Sequence, residues 1–375
     1  MGAIGKLFSA FTQGKGFFQV STGHFVAAVL SGIFWIGLAS IMAIDSYGEL
    51  NYYLSIASIL ATVSILGLNT AVTNFLSKGV DLRAQANFIV LVSNLVILPF
   101  LFVFVSHLPT MLLFVGLSFF TMSYAEVLGK REYKKFAIMV IAQRALQIGL
   151  SLILYYLIGA DGIIIGYAVS TMAFAFNFFR SIRSFKSNLS NMKQKIVFAI
   201  HSYIFALSSS VTNNVDKLLI GPLFGFSILG LYQMSFQFLL FLSILPMSMF
   251  QFLLSRGGRA ITMKFGLIAM LLAAGIAAMF HLTVPTIISS YFPHFHESIW
   301  SAQIIVVGII PMTLSSIVAS TLLSKENSSP VLLAAISYIA ALTGLVLLLG
   351  QSMGLAGLAI AIVASLTIQS VTLAV

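Results

Sequence analysis

Two basic residues of this sequence sit where charge is costly, and they frame the chemistry open to it. Arg144 follows Lys135 by nine residues, about 14 Å along a helix, inside a long apolar run. Gln147, Ser151 and Tyr155 lie at i+3, i+7 and i+11 from it and make one polar stripe. A guanidinium beside an amide and a hydroxyl is suited to phosphate, carboxylate or sugar oxygens. The plainer alternative is an arginine that pairs with a carbonyl or carboxylate and only fixes helix packing. The second basic residue is Lys217, in the stretch SSSVTNNVDKLLIG from Ser208 to Gly221. There His201, Ser208, Thr212 and Asp216 fall on one helical face, with Ser209 and Asn213 beside them, and the expectation is one wall of a water-filled cavity. The plainer alternative is that Lys217 snorkels to the headgroups and Asp216 is wetted from outside. As chain neighbours, Asp216 and Lys217 do not face each other on a helix, so an ion pair is expected to involve another helix.

Other polar groups point less far. Asn69, Thr73 and Ser77 form a stripe expected to line the N-terminal half, and His24 is expected at the interface. The HFHE run supplies His294, His296 and Glu297 without the i, i+4 spacing of a helical metal site, so it reads as a solvated loop and no metal is expected. With no cysteine there is no disulfide, thiolate site or thiol nucleophile. No cofactor is expected, and the chain does not read as an enzyme.

The elements that must position these residues follow from composition. The 375 residues are 59% hydrophobic and 7% charged, far below the roughly 25% charged residues of a soluble domain. The fold class is therefore all-α: a polytopic membrane protein of about 12 transmembrane helices in two six-helix lobes around a central cavity. The spans are expected at roughly 23–44, 50–76, 85–106, 108–128, 134–158, 162–183, 197–221, 226–254, 264–290, 299–323, 330–350 and 354–374. The first apolar run, beginning after Thr22, is long enough to span and is read as a retained helix. Alternate loops collect the cations, among them Lys78, Arg83, Lys130, Arg131, Arg180, Arg256 and Lys325, whereas the opposite loops carry Asp45, Glu49, Asp161 and Glu297. The positive-inside bias then puts both termini in the cytoplasm of a multi-pass cell-membrane protein, and it explains the net charge of +10 without nucleic acid. Ile4, Leu7, Phe8 and Phe11 keep helical spacing and suit an amphipathic interfacial segment.

The chain also repeats. When Lys130 is set against Lys325, Gly149 meets Gly344, Leu154 meets Leu349, Gly159 meets Gly354, Gly162 meets Gly357 and Ser170 meets Ser365 without a gap. A second echo pairs Tyr47-Gly48 with Leu229-Gly230. The expected domains are an N-terminal six-helix lobe with its amphipathic segment, 1–194, and a C-terminal six-helix lobe, 195–375. Each has an even number of spans, so the repeats are parallel, with a substrate path expected between them.

Two segments carry a resemblance. SYGELNYYLSIASILATVSILGLNTAV, residues 46–72, and NNVDKLLIGPLFGFSILGLYQMSFQFLLFLSILP, residues 213–246, are similar to the openings of the two lobes of O-antigen-type polysaccharide flippases. Residues 129–170 also resemble the fifth and sixth spans of that family. The resemblance implies the multidrug/oligosaccharidyl-lipid/polysaccharide exporter superfamily and alternating access between two lobes. It implies as substrate a polyprenyl-pyrophosphate-linked oligosaccharide, flipped for polysaccharide or glycan biosynthesis. The implied partners are that substrate, membrane lipids and polysaccharide-assembly enzymes. On this reading Arg144, Gln147, Ser151, His201, Ser208, Thr212, Asn213, Asp216 and Lys217 are cavity candidates. The alternative is a multidrug or cation antiporter of the same superfamily. Membrane glycosyltransferases and polymerases fit less well, because no loop is long enough for an external catalytic domain.

Overall fold

The computed structural model describes residues 3–183, 196–255, 263–324 and 329–374. Among them every regular element is a helix: α1 (Ala3–Leu38), α2 (Ile44–Ile65), α3 (Leu68–Leu76), α4 (Arg83–Phe104), α5 (Leu108–Gly129), α6 (Tyr133–Ile158), α7 (Ala160–Ala173), α8 (Phe176–Ile182), α9 (Ile196–Phe224), α10 (Phe226–Leu242), α11 (Ile244–Ser255), α12 (Met263–Tyr291), α13 (Ile299–Ile305), α14 (Ile309–Ser324) and α15 (Ser329–Ala374), with short 3-10 turns at Pro293–Ser298 and Val306–Gly308. This is what a hydrocarbon solvent demands, since a helix satisfies its own backbone donors and acceptors.

Eight helical segments among the described residues are long and apolar enough to cross a membrane, or ten if each bent pair, α2 with α3 and α7 with α8, is one span. The 46-residue α15 breaks at Gly354, so its two arms fall on the last two expected spans, and α9 falls on the seventh. The chain is a multi-pass membrane protein.

The sequence repeat recurs as geometry. Gly159, between α6 and α7, and Gly354, inside α15, both take positive φ (74° and 56°) with strongly negative ψ, a backbone state that only glycine adopts without strain. Three residues later, a Cβ on Gly162 would overlap the Leu154 carbonyl, and one on Gly357 would overlap the Leu349 carbonyl. Ser170 and Ser365 are fully buried in both copies. Each hairpin is thus closed by a glycine turn and a glycine packed on backbone, which explains the register of the repeat.

The chain clusters into two compact units, Met1–Ser31 with Ile56–Ser210, and Gly32–Ser55 with Val211–Val375. In the first, Phe119 of α5 stacks on Phe178 of α8 at 4.1 Å, and Ser64, Ser118 and Asn94 link α2, α5 and α4. Its charged end is tied down by Glu126, which accepts from Arg83 (2.7 Å), Lys130 (2.5 Å) and Ser181 (2.6 Å). Arg83 also donates to Asp81 and holds that carboxyl below its ordinary range.

In the second unit the glycines of the second echo are each other's neighbours: a Cβ on Gly48 would strike Phe226 and Gly230, and one on Gly230 would strike Ile44. Ser227 donates to Asp45 beside this crossing, and Tyr47 packs edge-on to Phe295 at 5.7 Å. α10 is buried almost all round and ties to α13 through Ser235 and Ser301, 2.6 Å apart.

Replacing Gly357 by Leu forces overpacking against backbone and should cost about 1–3 kcal/mol. Gly344→Ala, where an added Cβ meets nothing within 4 Å, should instead hold or raise stability. Thermal melts of the two purified variants in detergent check the contrast; equal melting temperatures would contradict this packing.

Candidate functional site

Arg144 lies at the twelfth of the 26 positions of α6, about 16 Å from its start, and so at mid-span. Its Nη1 donates to Gln147 Oε1 at 2.5 Å, and its guanidinium stands 5.5 Å from the centre of the Tyr167 ring of α7. Among the described residues no carboxylate pairs with it. Arg144 Nε and Gln147 Nε2 are both buried donors without an acceptor. An unmet donor in a low-dielectric interior is expensive. The pair therefore has donor capacity that the described residues leave unmet.

The rest of the expected stripe has another use. Ser151 is fully buried and donates to the Ile163 carbonyl at 2.9 Å, while Gln143 donates to Ser170 at 3.0 Å. A Cβ on Gly166 would clash with the Ser151 backbone. Close approach of α6 and α7 leaves no room for a ligand at Ser151, so that hydroxyl serves the helix seam and not a cavity wall.

The polar face of α9 is shared between the units: Ser208 belongs to the first, and Thr212, Asn213, Asp216 and Lys217 to the second. The side chain of His201 lies outside the described residues. The hydroxyls of Ser208 and Thr212 are buried without partners. Asn213 is exposed at its side chain and gives its carbonyl to Lys217 at 2.8 Å.

An alternative for Lys217 and an expectation about its ion pair are both corrected here. Lys217 does not snorkel: it is 5% exposed and lies 4.5 Å from the Phe236 ring centre. Nor does its ion pair need another helix, since its Nζ reaches Asp216 Oδ1 at 2.9 Å and Oδ2 at 3.1 Å. Neighbouring Cβ atoms on a helix diverge, but the four-carbon lysine stem is long enough to fold back across the gap. Tyr232 of α10 completes the group by donating to Asp216 Oδ2 at 2.8 Å. Asp216 is thereby neutralised and hydrogen-bonded on both oxygens, the arrangement a buried carboxylate needs.

A cavity of about 460 Å³ opens inside the first unit, where α2 gives way to α3. Ser58, Thr62, Asn69, Thr121, Tyr124 and Ser209 are its main polar lining. Of the expected stripe only Asn69 reaches it, because Thr73 hands its proton to backbone carbonyls of Asn69 and Ala125, and Ser77 to that of Asn74. Thr121 and Tyr124 went unnoticed in sequence; their i, i+3 spacing on α5 was the available signal.

In HFHE the residue with a structural role is Phe295, fully buried against Tyr47. His24 packs against Phe136, with 5.2 Å between ring centres. Among the described residues no three His, Asp or Glu side chains converge as metal ligands would.

A multidrug-resistance MATE family transporter of the MOP superfamily superposes with a TM-score of 0.76, at 14% identity over 94% of this chain and 92% of its own. The lipid II flippase MurJ gives 0.73, at 12% identity over 94% and 86%. The chain has the MATE and MurJ fold. A further MATE structure, in complex with MaL6, gives 0.65 at 14% identity over 95% and 94%. No protein-family model and no curated protein matches the chain.

Within this MATE- and MurJ-type fold the pair in α9 is a stability element whose removal is predictable. Lys217→Met leaves Asp216 buried and unpaired, and should destabilise by about 3–5 kcal/mol. Asp216→Asn with Lys217→Met should recover most of that loss. A thermal-unfolding cycle over the wild type, both single variants and the double variant measures the coupling, and additive effects would refute the pairing.

Proposed function

We propose that this protein translocates a polyprenyl-pyrophosphate-linked oligosaccharide from the cytoplasmic to the external leaflet of the cell membrane, for polysaccharide or glycan biosynthesis. The observation that carries the reading is Arg144: a cation at mid-span, without a carboxylate partner among the described residues, whose Nε and whose neighbour Gln147 Nε2 are buried donors that lack acceptors. Charge-assisted bonds from a guanidinium match the non-bridging oxygens of a pyrophosphate. A fixed cation held in low dielectric acts on a passing anion more strongly than it would in water. The proposed motion is alternating access of two six-helix lobes, 1–194 and 195–375, with the lipid tail remaining in the bilayer. The substrate and the enzymes that assemble it are the proposed partners.

Similarity to MATE transporters gives equal support to the second reading, a multidrug or cation antiporter. Cation exchange in a membrane interior uses carboxylates that can be vacated. Here Asp216 is closed by Lys217 and Tyr232, and Glu126 by Arg83, Lys130 and Ser181. That occupancy favours an anionic substrate.

The test is flipping of a fluorescent polyprenyl-pyrophosphate oligosaccharide in proteoliposomes. The wild type should exceed protein-free vesicles; Arg144→Ala at equal reconstitution should slow it about tenfold or more, with Arg144→Lys in between, since lysine keeps the charge but loses the fork of donors. If the wild type moves none of several carriers yet expels an organic cation against a proton or sodium gradient, the antiporter reading replaces this one.

A further inference from the structure

We infer that the cavity at the α2–α3 break is a binding site for an uncharged sugar residue, an assignment that rests on the flippase reading for its place in transport. Its volume, about 460 Å³, falls within the roughly 300–1,000 Å³ of small-molecule sites. No Asp, Glu, Lys, Arg or His is among its lining residues. A cationic drug would therefore find no counter-charge there.

Two polar groups of the lining also call for a donor. Thr62 gives its proton to the Ser58 carbonyl at 3.0 Å, so its oxygen is left to accept. Asn69 Oδ1 is buried and has no donor. Both positions call for an incoming O–H or N–H, and ionised phosphate or carboxylate carries none. Sugar hydroxyls and acetamido groups do. Thr121 is hydrogen-bonded to Tyr124, and Ser58, Thr70 and Ser209 add further hydroxyls to the lining. The Tyr124 ring is held edge-on by Phe120 and Phe136, with centres 5.6 and 5.9 Å away, which presents a fixed aromatic surface to the C–H side of a pyranose. Ala61, Ile65, Leu117 and Ala206 complete that apolar side.

The backbone is broken at this cavity. Leu66 and Gly67 both have positive φ (55° and 71°), and α2 and α3 diverge there by 51°. A non-glycine residue in that conformation is strained, and broken helices in a membrane protein are tolerated where they line a cavity. α3 starts at this break with no side-chain cap on its first N–H groups.

The experiment uses the full chain in nanodiscs and ligand-observed NMR. The neutral probes are triacetylchitotriose and maltotriose, the anionic one is trigalacturonate, and farnesyl pyrophosphate serves as a sugar-free carrier. The wild type should bind at least one neutral trisaccharide, and trigalacturonate at least tenfold more weakly. Thr62→Val with Asn69→Leu should weaken the neutral sugar tenfold or more without lowering the melting temperature. Should that double variant be unstable, Thr121→Val supplies the same readout. Farnesyl pyrophosphate binding should be unchanged by the double variant and weakened by Arg144→Ala. If neither neutral sugar binds, or the variants bind it as the wild type does, the cavity holds water only and the inference falls. If the sugar behaves as stated but farnesyl pyrophosphate does not bind, the site stands and the flippase reading fails.

Discussion

In a hydrocarbon solvent a charge has no water to lean on, and the protein must supply whatever the ion lacks. The whole pattern of polar residues here can be ordered by that constraint. Glu126 is met by two cations and a hydroxyl, and Asp216 by an ammonium and a phenol. These groups are complete and lock helices together. Arg144 is incomplete, with its Nε and the neighbouring Gln147 amide unmet. The contrast between satisfied and unsatisfied polar groups sets Arg144 apart in a way that burial does not, because Lys217 is nearly as buried as any core residue.

The same constraint explains what could be read from the sequence. Apolar runs of span length and the sidedness of Lys and Arg are written in single residues, so the all-helical, multi-pass architecture was legible, as was the exceptional position of Arg144. The glycine repeat was also legible, since Gly159, Gly162, Gly354 and Gly357 each do a backbone job that no other residue can do. Polar residues within the helices were harder. Periodicity puts Gln147, Ser151 and Tyr155 on one face, but it does not say that α7 comes close enough to take the Ser151 proton. Nor does it show that a lysine can fold back on its own neighbour, as Lys217 does. The cavity was hidden for a related reason: its lining comes from α2, α3, α5 and α9, and only the tertiary fold of the first unit assembles it.

Two chemistries therefore coexist in the chain. The Arg144 group offers donors and positive charge, while the cavity offers acceptors and neutral hydroxyls. A lipid-linked glycan has matching parts, an anionic linkage and a polyol. On the proposed reading, electrostatic attraction to a pyrophosphate is shared by every substrate with the same carrier and contributes little discrimination. Hydrogen-bonded sugar recognition discriminates more sharply, because a mismatched substituent leaves buried groups unpaired.

The crossing of Gly48 and Gly230 constrains design. A side chain on Gly48 would strike the backbone of Phe226 and Gly230, and one on Gly230 would strike the backbone of Ile44. At this crossing a larger residue in one segment is rejected by the backbone of the other. It marks where a designed chimera of related chains has to take both segments from one parent.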